Sequence, residues 1–147
     1  MIWKIDQASE VPIYQQLRNC AVAAIAAGEL RPGDQLPSVR SLGCDLGVNL
    51  HTVNKAYALL RDEGYVLMRG RAGAVVAEPA LSDGGDAGAG IGRVRAAKRL
   101  ADGLMLLTLE YKAAGGPRAE FERSVARVLA DVYGTGAGAR ADGDAPE

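Results

Sequence analysis

The sequence contains few aromatic residues, two cysteines and one histidine. Aromatic residues make up 5% of the 147 residues, which leaves too few rings for a platform that stacks the bases of single-stranded nucleic acid. The single histidine and the widely separated Cys20 and Cys44 provide neither the three or four ligands of a metal site nor a disulfide framework. We therefore expect no metal, no cofactor and two reduced, semi-buried thiols.

The sequence also lacks long apolar runs and the features of a secretion signal. No stretch of about 18 uncharged apolar residues occurs, and the opening MIWKIDQASE has acidic residues where a signal peptide is basic and then apolar. These features predict a cytoplasmic protein that does not attach to membranes. A phosphate-binding loop and paired carboxylates are missing as well, so we do not expect an enzyme.

The first half of the chain is a series of amphipathic segments separated by turns. Apolar residues recur three or four positions apart in residues 13–27, 38–46 and 49–63, which predicts three helices with one buried side each. Gly47 supplies a tight turn before the third helix, and Asn49 fits the N-cap of that helix. The buried side of the third helix is expected to consist of Val53, Ala56, Tyr57 and Leu60.

Two short strands are expected after the third helix. Residues 65–68 and 74–77 have the composition of strands, and residues 69–73 form a flexible tip between them. Three helices followed by such a hairpin predict a winged helix-turn-helix over residues 1–80, a fold that places its third helix in the major groove of DNA. The expected fold class is therefore mostly α with a small β-hairpin.

The second half of the chain has a different composition. Gly, Ala and Asp dominate residues 81–92, which predicts a flexible linker. Residues 93–134 contain two apolar stripes at helical spacing on either side of Gly115-Gly116-Pro117, and they predict a two-helix dimerisation or effector element. The basic residues at the start of its first helix are expected on a solvated face. The tail, residues 135–147, is expected to be disordered.

These two helices carry more apolar residues than they can bury between themselves. We therefore predict a symmetric homodimer. An element of about 40 residues is also small for an effector pocket of about 300 Å³ or more. An effector, whose existence and identity stay open, would bind at the dimer interface. The residues expected to form that interface are Leu100, Leu104, Leu107, Tyr111, Phe121, Val125 and Val128.

Several short motifs follow one another in a specific order before position 80. They are PIYQQL at 12–17, GEL at 28–30, PGDQLPSVR at 32–40, LGVN at 46–49, and the pairs Thr52-Val53, Ala56-Tyr57 and Glu63-Gly64. In this combination the chain resembles the GntR family of bacterial transcription regulators. Its short two-helix C-terminal part is most similar to that of the YtrA-like subfamily. The resemblance implies a homodimeric regulator, more often a repressor, that binds an inverted-repeat operator in double-stranded DNA.

The resemblance also implies which residues meet DNA. Family members use the arginine of the LPSVR segment, polar residues early in the third helix and a wing glycine. Transferred by position, these are Arg40, Asn49, Thr52, Asn54, Lys55 and Gly73. To these we add residues that the spacing places beside them, namely Ser38, His51, Arg69 and Arg71. The competing interpretation for each is an ordinary solvated surface, and for Arg40 an ion pair with Asp34 or Asp45.

YtrA-like relatives often act beside transporter genes, which implies control of an ABC transporter operon.

The chain departs from the family pattern at positions 43 and 50, and its wing tip RGRAGAVV lacks the aromatic residue that is common on the return strand. Position 43 is glycine where alanine is usual, which weakens the second helix by about 1 kcal/mol. Leu50 occupies the position at which many relatives carry a base-reading arginine and YtrA-like ones often carry proline. Direct arginine-to-guanine readout from position 50 is therefore excluded, and the operator sequence cannot be inferred from those relatives.

Cys44 is expected to be a buried thiol rather than a redox switch.

The charge balance argues against DNA binding. The net charge is −1, and residues 1–80 contain eight basic and eight acidic side chains, whereas phosphate neutralisation normally supplies much of the affinity for DNA. The distribution of charge favours DNA binding, because the basic residues from Arg40 to Arg71 fall on the proposed DNA side. The alternative that stays open is a winged helix that binds another protein and not DNA.

Overall fold

The computed structural model describes residues 3–78 and 87–134, with side chains in the second range from Arg93 onward. It divides into two compact units, Met1–Arg99 and Leu100–Glu147. The elements in chain order are α1 (Ile13–Ala26), α2 (Val39–Leu46), α3 (Leu50–Asp62), β1 (Val66–Arg69), a single 3₁₀ turn (Gly70–Ala72), β2 (Gly73–Val76), α4 (Ala87–Ala113) and α5 (Arg118–Tyr133). The prediction of a mostly helical fold with one small hairpin is confirmed.

The core of the first unit forms where α1 packs against α3. Leu17 and Ala21 of α1 are fully buried, as predicted from the spacing of apolar residues along that helix. Leu42 from α2 and Val66 from β1 join the same cluster. On α3 every position predicted to face inward is buried, namely Val53, Ala56, Tyr57 and Leu60. Burial of this stripe determines which side of α3 is left for solvent.

The turn between α2 and α3 is short because Gly47 ends α2 in the left-handed conformation, with φ 64°. A side chain there would be strained, and glycine adopts this conformation without a steric penalty. The Gly47 N–H lies 3.3 Å from the carbonyl oxygen of Cys44, and the Val48 N–H donates to the carbonyl oxygen of Gly43 at 3.0 Å. Only Val48 and Asn49 then separate Gly47 from the first residue of α3.

The return strand of the hairpin is paired along both of its edges, which the sequence did not predict. Within it, β1 and β2 run antiparallel with Val66 opposite Val76. The segment before α2 pairs with the other edge of β2, since the Leu36 N–H donates to the Ala74 carbonyl at 2.8 Å and the Val76 N–H donates to the Asp34 carbonyl at 2.8 Å. The turn residues and polar side chains of this segment predicted only a link. Its pairing explains why β2 is buried along most of its length.

The helix α4 begins earlier than the sequence predicted. It starts at Ala87, so residues 87–92 of the predicted linker are helical, whereas residues 81–86 lie outside the described part of the chain, as does the predicted tail 135–147. Alanine has the highest helix propensity of all residues, and extending an existing helix adds one hydrogen bond per residue, which offsets the cost of the interspersed glycines. α5, in contrast, follows directly after the predicted break at Gly115-Gly116-Pro117 and runs from Arg118 to Tyr133.

The basic residues near the start of α4 are exposed, as expected for a solvated face, but two of them also contact the end of α3. Arg95 Nη1 donates to the Asp62 carbonyl at 2.5 Å. Arg99 Nη1 lies 3.7 Å from Glu63 Oε1, and Arg99 Nη2 lies 3.4 Å from the Tyr65 hydroxyl. Glu63 also accepts a 2.8 Å hydrogen bond from Arg18 Nε of α1. One carboxylate, only 14% exposed, therefore joins α1, α3 and the start of α4.

Replacing this carboxylate tests its contribution to stability. We expect Glu63→Ala to lower the free energy of unfolding by about 1–2 kcal/mol, because the mutation leaves the half-buried Arg18 without its charged partner. The matched control is Asp62→Ala, which removes a neighbouring carboxylate that, within the described part of the chain, pairs with the exposed Arg61; we expect it to cost about 0–0.5 kcal/mol. Urea unfolding measures both values, and equal losses in the two variants would contradict the assigned role of Glu63.

Candidate nucleic-acid interface

The N-terminal end of α3 is capped by a side chain and is free of acidic residues. Asn49 Oδ1 accepts the His51 N–H at 2.8 Å, which confirms the predicted N-cap. No carboxylate occurs on α3 between Leu50 and Arg61. Because a helix N-terminus carries a partial positive charge and unpaired N–H groups, this end of α3 has an electrostatic environment that favours an anion.

The start of α2 lies in a well-anchored segment. Ser38 Oγ accepts the Ser41 N–H at 3.1 Å and caps α2. The Tyr57 hydroxyl of α3 donates to the Pro37 carbonyl at 2.7 Å, and burial raises the pKa of Tyr57, which keeps this hydroxyl protonated as a donor. These two hydrogen bonds hold the residues that precede Arg40 against α3.

Arg40 extends into solvent from the first turn of α2. Among the described residues, no carboxylate lies within ion-pair distance of its guanidinium, so the ion pair considered with Asp34 or Asp45 does not form. Asp34 instead accepts the Arg31 N–H at 2.8 Å within its own turn. The guanidinium of Arg40 is therefore available to a phosphate.

An open depression of about 620 Å³ lies between α2 and the N-terminal end of α3. Its lining brings two of the predicted DNA-contacting residues of α3, Asn49 and His51, together with Arg40 of α2. The remaining lining residues are Gly43, Cys44, Gly47, Val48 and Leu50. Cys44 is exposed, so the prediction of a buried thiol at this position is wrong; it lies on the outward side of α2, opposite the buried Leu42.

The outward side of α3 presents the predicted polar residues to different degrees. His51, Asn54 and Lys55 are exposed, and Thr52 is half-buried. The Lys55 ammonium lies 3.9 Å from the centre of the Tyr14 ring, a cation–π contact that holds it toward α1. The sequence did not predict this contact, because Tyr14 and Lys55 are far apart in the chain. Of the four residues, His51 and Asn54 are the least constrained by their neighbours.

The wing carries its two predicted arginines on an ordered tip. Arg69 and Arg71 are exposed, and the Gln35 side-chain amide donates a short hydrogen bond to the Ala72 carbonyl, which fixes the tip to the segment before α2. Gly73 has φ 69° and ψ −137°, a conformation that is essentially restricted to glycine. The requirement at Gly73 is therefore for backbone geometry, which ends the turn that carries Arg71 and begins β2.

The described residues define a class of protein. Three helices with a buried core, a paired wing and an exposed, carboxylate-free side of the third helix make up a winged helix-turn-helix of the DNA-binding type. Among those residues no group of three or more His, Cys, Asp or Glu is placed to hold a metal ion. None of the described helices is both long enough and apolar enough to cross a membrane.

Comparison with known proteins gives the family. Residues 11–76 match the family of bacterial regulatory proteins called gntR. The chain is 35% identical to a solved structure of YtrA from Sulfolobus acidocaldarius, described as a GntR-family transcription factor; the match covers 88% of this chain and 98% of that one, with a TM-score of 0.54. The chain therefore belongs to the GntR family of transcriptional regulators, as predicted.

Two further relatives match the winged-helix part. The chain is 42% identical over 69 residues to the transcriptional repressor YtrA of Bacillus subtilis, covering 46% of this chain and 53% of that protein. It is 38% identical over 73 residues to the transcriptional regulator Rv1152 of Mycobacterium tuberculosis, covering 50% of this chain and 60% of that protein. The match thus spans little more than half of the length of these relatives. They are regulators and not enzymes, and the two YtrA proteins confirm the predicted YtrA-like resemblance.

The N-cap of α3 can be tested separately from any contact with DNA. We expect Asn49→Ala to lower the free energy of unfolding by about 1 kcal/mol, because the His51 N–H loses its acceptor, and Asn49→Ser to restore most of the loss. The control is Asn54→Ala, the same substitution at an exposed position of the same helix, which we expect to be neutral or slightly stabilising. Thermal unfolding followed by circular dichroism measures all three; an Asn49→Ala variant as stable as Asn54→Ala would refute the cap.

Proposed function

We propose that the protein is a homodimeric, sequence-specific transcription regulator that represses its target genes by binding an inverted-repeat operator. The observation that carries this proposal is the outward side of α3, which is polar, free of carboxylates from Leu50 to Arg61 and adjacent to the unpaired Arg40. Such a side fits the major groove, in which base edges offer hydrogen-bond partners to polar side chains. A regulator of bacterial DNA acts in the cytoplasm.

The proposed contacts divide into those that position the protein and those that read bases. Arg40, beside the α2 cap at Ser38, contacts a phosphate, and the N-terminal end of α3 with Asn49 and His51 contacts another. Asn54 has the amide that pairs bidentately with adenine, and Thr52 reaches a thymine methyl group or a phosphate. Lys55, held beside Tyr14, contributes charge.

The wing adds a second point of contact in this proposal. Arg69 and Arg71 reach the minor groove or its phosphates, and the open backbone at Gly73 permits close approach. Although the chain as a whole has a net charge of −1, the carboxylates at α3 are Asp62 and Glu63 at its C-terminal end, where Asp62 pairs with Arg61 and Glu63 with Arg18 and Arg99. Local positive charge on the proposed DNA side is therefore not cancelled by the neighbouring residues of α3.

Uncovered apolar surface on the second unit supports the dimer. Tyr111 packs on Phe121 beside the turn between α4 and α5, with ring centres 5.8 Å apart, but most of both stripes is exposed. Leu100 is 62% and Val128 60% exposed. Burial of one such side chain is worth about 1.5–3 kcal/mol, so a second copy that covers both stripes would gain several times that amount. The proposed interface comprises Leu100, Leu104, Leu107, Tyr111, Phe121, Val125 and Val128.

The direction of regulation, the regulated genes and the role of an effector are proposed from the YtrA resemblance. The Bacillus subtilis relative is a repressor, and a dimer that covers an inverted repeat represses by excluding other proteins from the promoter. Control of an ABC transporter operon follows from the same resemblance. An effector, if one exists, binds at the dimer interface and changes the separation of the two α3 helices.

Two substitutions separate phosphate contact from base reading. We expect Arg40→Ala to weaken binding to all duplexes by a similar factor and to reduce the slope of log affinity against log salt by about one unit. We expect Asn54→Ala to lose about 1–3 kcal/mol on the preferred sequence only, and to accept any base at one position. Fluorescence anisotropy with a selected operator and a random duplex, at several salt concentrations, measures both effects.

The control for these titrations is Arg118→Ala, which removes an exposed arginine of α5 that pairs with Glu122 and should leave both affinities unchanged. Wild-type protein that binds no duplex even at low salt would refute the regulator proposal in favour of a protein-interaction module.

Two substitutions on α4 test the proposed dimer. We expect Leu107→Glu to convert a dimer into a monomer in sedimentation velocity, because two buried carboxylates would face each other across the two-fold axis. The control is Leu106→Glu, since Leu106 is 57% exposed, as is Leu107, but lies on the opposite side of α4 from the stripe that contains Leu104. Dissociation by Leu106→Glu and not by Leu107→Glu would show that a different side of α4 forms the interface.

A further inference from the structure

Two of the departures from the family pattern, Gly43 and Leu50, are in contact with each other. A Cβ atom built on Gly43 would lie 2.8 Å from Leu50 Cδ2 and 3.1 Å from the Val48 carbonyl oxygen. Real Cβ atoms essentially never approach a neighbouring atom as closely as 2.8 Å. The Leu50 side chain therefore lies directly on the backbone of α2, in a place that exists only because residue 43 has no side chain.

This contact orients an apolar side chain at the leading end of α3. Leu50 is the first residue of the helix and follows the N-cap Asn49. It is 42% exposed and lines the open depression together with Arg40 and His51. Leu50 thus has one side fixed against Gly43 and the other side exposed, among residues that otherwise offer hydrogen bonds and positive charge.

We propose that Leu50 reads sequence by packing against the C5-methyl group of a thymine in the major groove. This inference rests on the proposed DNA-binding function of α3. Among the features that base pairs present in that groove, the thymine methyl group is the apolar one, so it is the natural partner of an exposed leucine. Because Leu50 Cδ2 packs on Gly43, the part of the side chain that stays exposed is available to the methyl group.

The expected size of the effect follows from burial of one methyl group. Burial of the apolar surface of one such carbon contributes about 0.8 kcal/mol to binding, which corresponds to about a fourfold change in affinity per half-site. A change from thymine to uracil removes only the methyl group, so it isolates this contact from every hydrogen bond to the same base.

The experiment uses the full chain and a duplex selected by the wild-type protein from a random pool. Each thymine of one half-site is replaced in turn by uracil, and affinity is measured by fluorescence anisotropy. We expect one position at which uracil weakens wild-type binding about fourfold. We expect Leu50→Ala to bind the thymine and uracil duplexes equally at that position. Val11→Ala removes methyl groups from a side chain that is also 42% exposed, outside the proposed interface, and should retain the wild-type effect.

Three outcomes would overturn the proposal. They are a selected half-site without a preferred thymine, wild-type binding that is indifferent to uracil at every thymine, and a Leu50→Ala variant that keeps the wild-type ratio. Affinity of Leu50→Ala for random DNA equal to that of wild type shows that this variant is folded. Failure of the wild type to select any duplex would overturn both the proposed function and this inference, whereas selection without a methyl effect would overturn the inference alone.

A second measurement tests the contact between Gly43 and Leu50 without DNA. In the wild-type background we expect Gly43→Ala to lower the unfolding midpoint and to reduce the uracil effect, because the new methyl group displaces Leu50. In the Leu50→Ala background the same substitution should lower the midpoint less, since the clash with the leucine side chain is gone and only the 3.1 Å approach to the Val48 carbonyl oxygen remains. An equal change of midpoint in both backgrounds would show that Leu50 does not pack on residue 43.

Discussion

The packing of α3 on α1 is the constraint from which the rest of the first unit follows. Val53, Ala56, Tyr57 and Leu60 are buried on one side of α3, and a helix with one side buried must display the other. Asn49 and Gly47 then determine where α3 begins and how closely α2 approaches it. The polar side of α3 is therefore presented by a rigid body and does not depend on a loop, which is what a surface needs in order to recognise a partner of fixed shape.

Much of this arrangement could be predicted from the sequence, because it depends on local signals. The bounds of α5, the cap at Asn49 and the buried stripe of α3 all follow from the type and spacing of residues that lie close together in the chain. The features that the sequence did not predict depend on contacts between residues far apart in the chain. The pairing of Asp34 and Leu36 with β2 joins segments about 40 residues apart, and the contacts of Arg95 and Arg99 with the end of α3 have no signature in composition.

The features of the candidate interface also divide into those that local sequence patterns predict and those that depend on residues far apart in the chain. Exposure of Arg40, His51 and Asn54 follows from helical periodicity, which assigns them to the side opposite the core. The cation–π contact between Lys55 and Tyr14 and the contact between Leu50 and Gly43 depend on how the helices cross. Taken separately, glycine at position 43 was expected only to weaken α2, and leucine at position 50 only to exclude guanine readout. In the folded chain they form one packing pair, so the loss of helix propensity at position 43 is coupled to the orientation of a side chain on α3.

Charge balance links the two units of the chain. A protein with a net charge of −1 is expected to have low nonspecific affinity for DNA, because that affinity grows with the number of phosphates that the protein neutralises. One winged helix with a few cationic side chains would therefore bind weakly. Joining two of them makes the second contact intramolecular and multiplies the affinity for a correctly spaced pair of half-sites without raising affinity for other DNA. In the proposed dimer, the exposed leucines of α4 and valines of α5 would therefore matter for recognition as much as the polar side of α3, since a second copy would supply affinity that a chain with little net charge lacks.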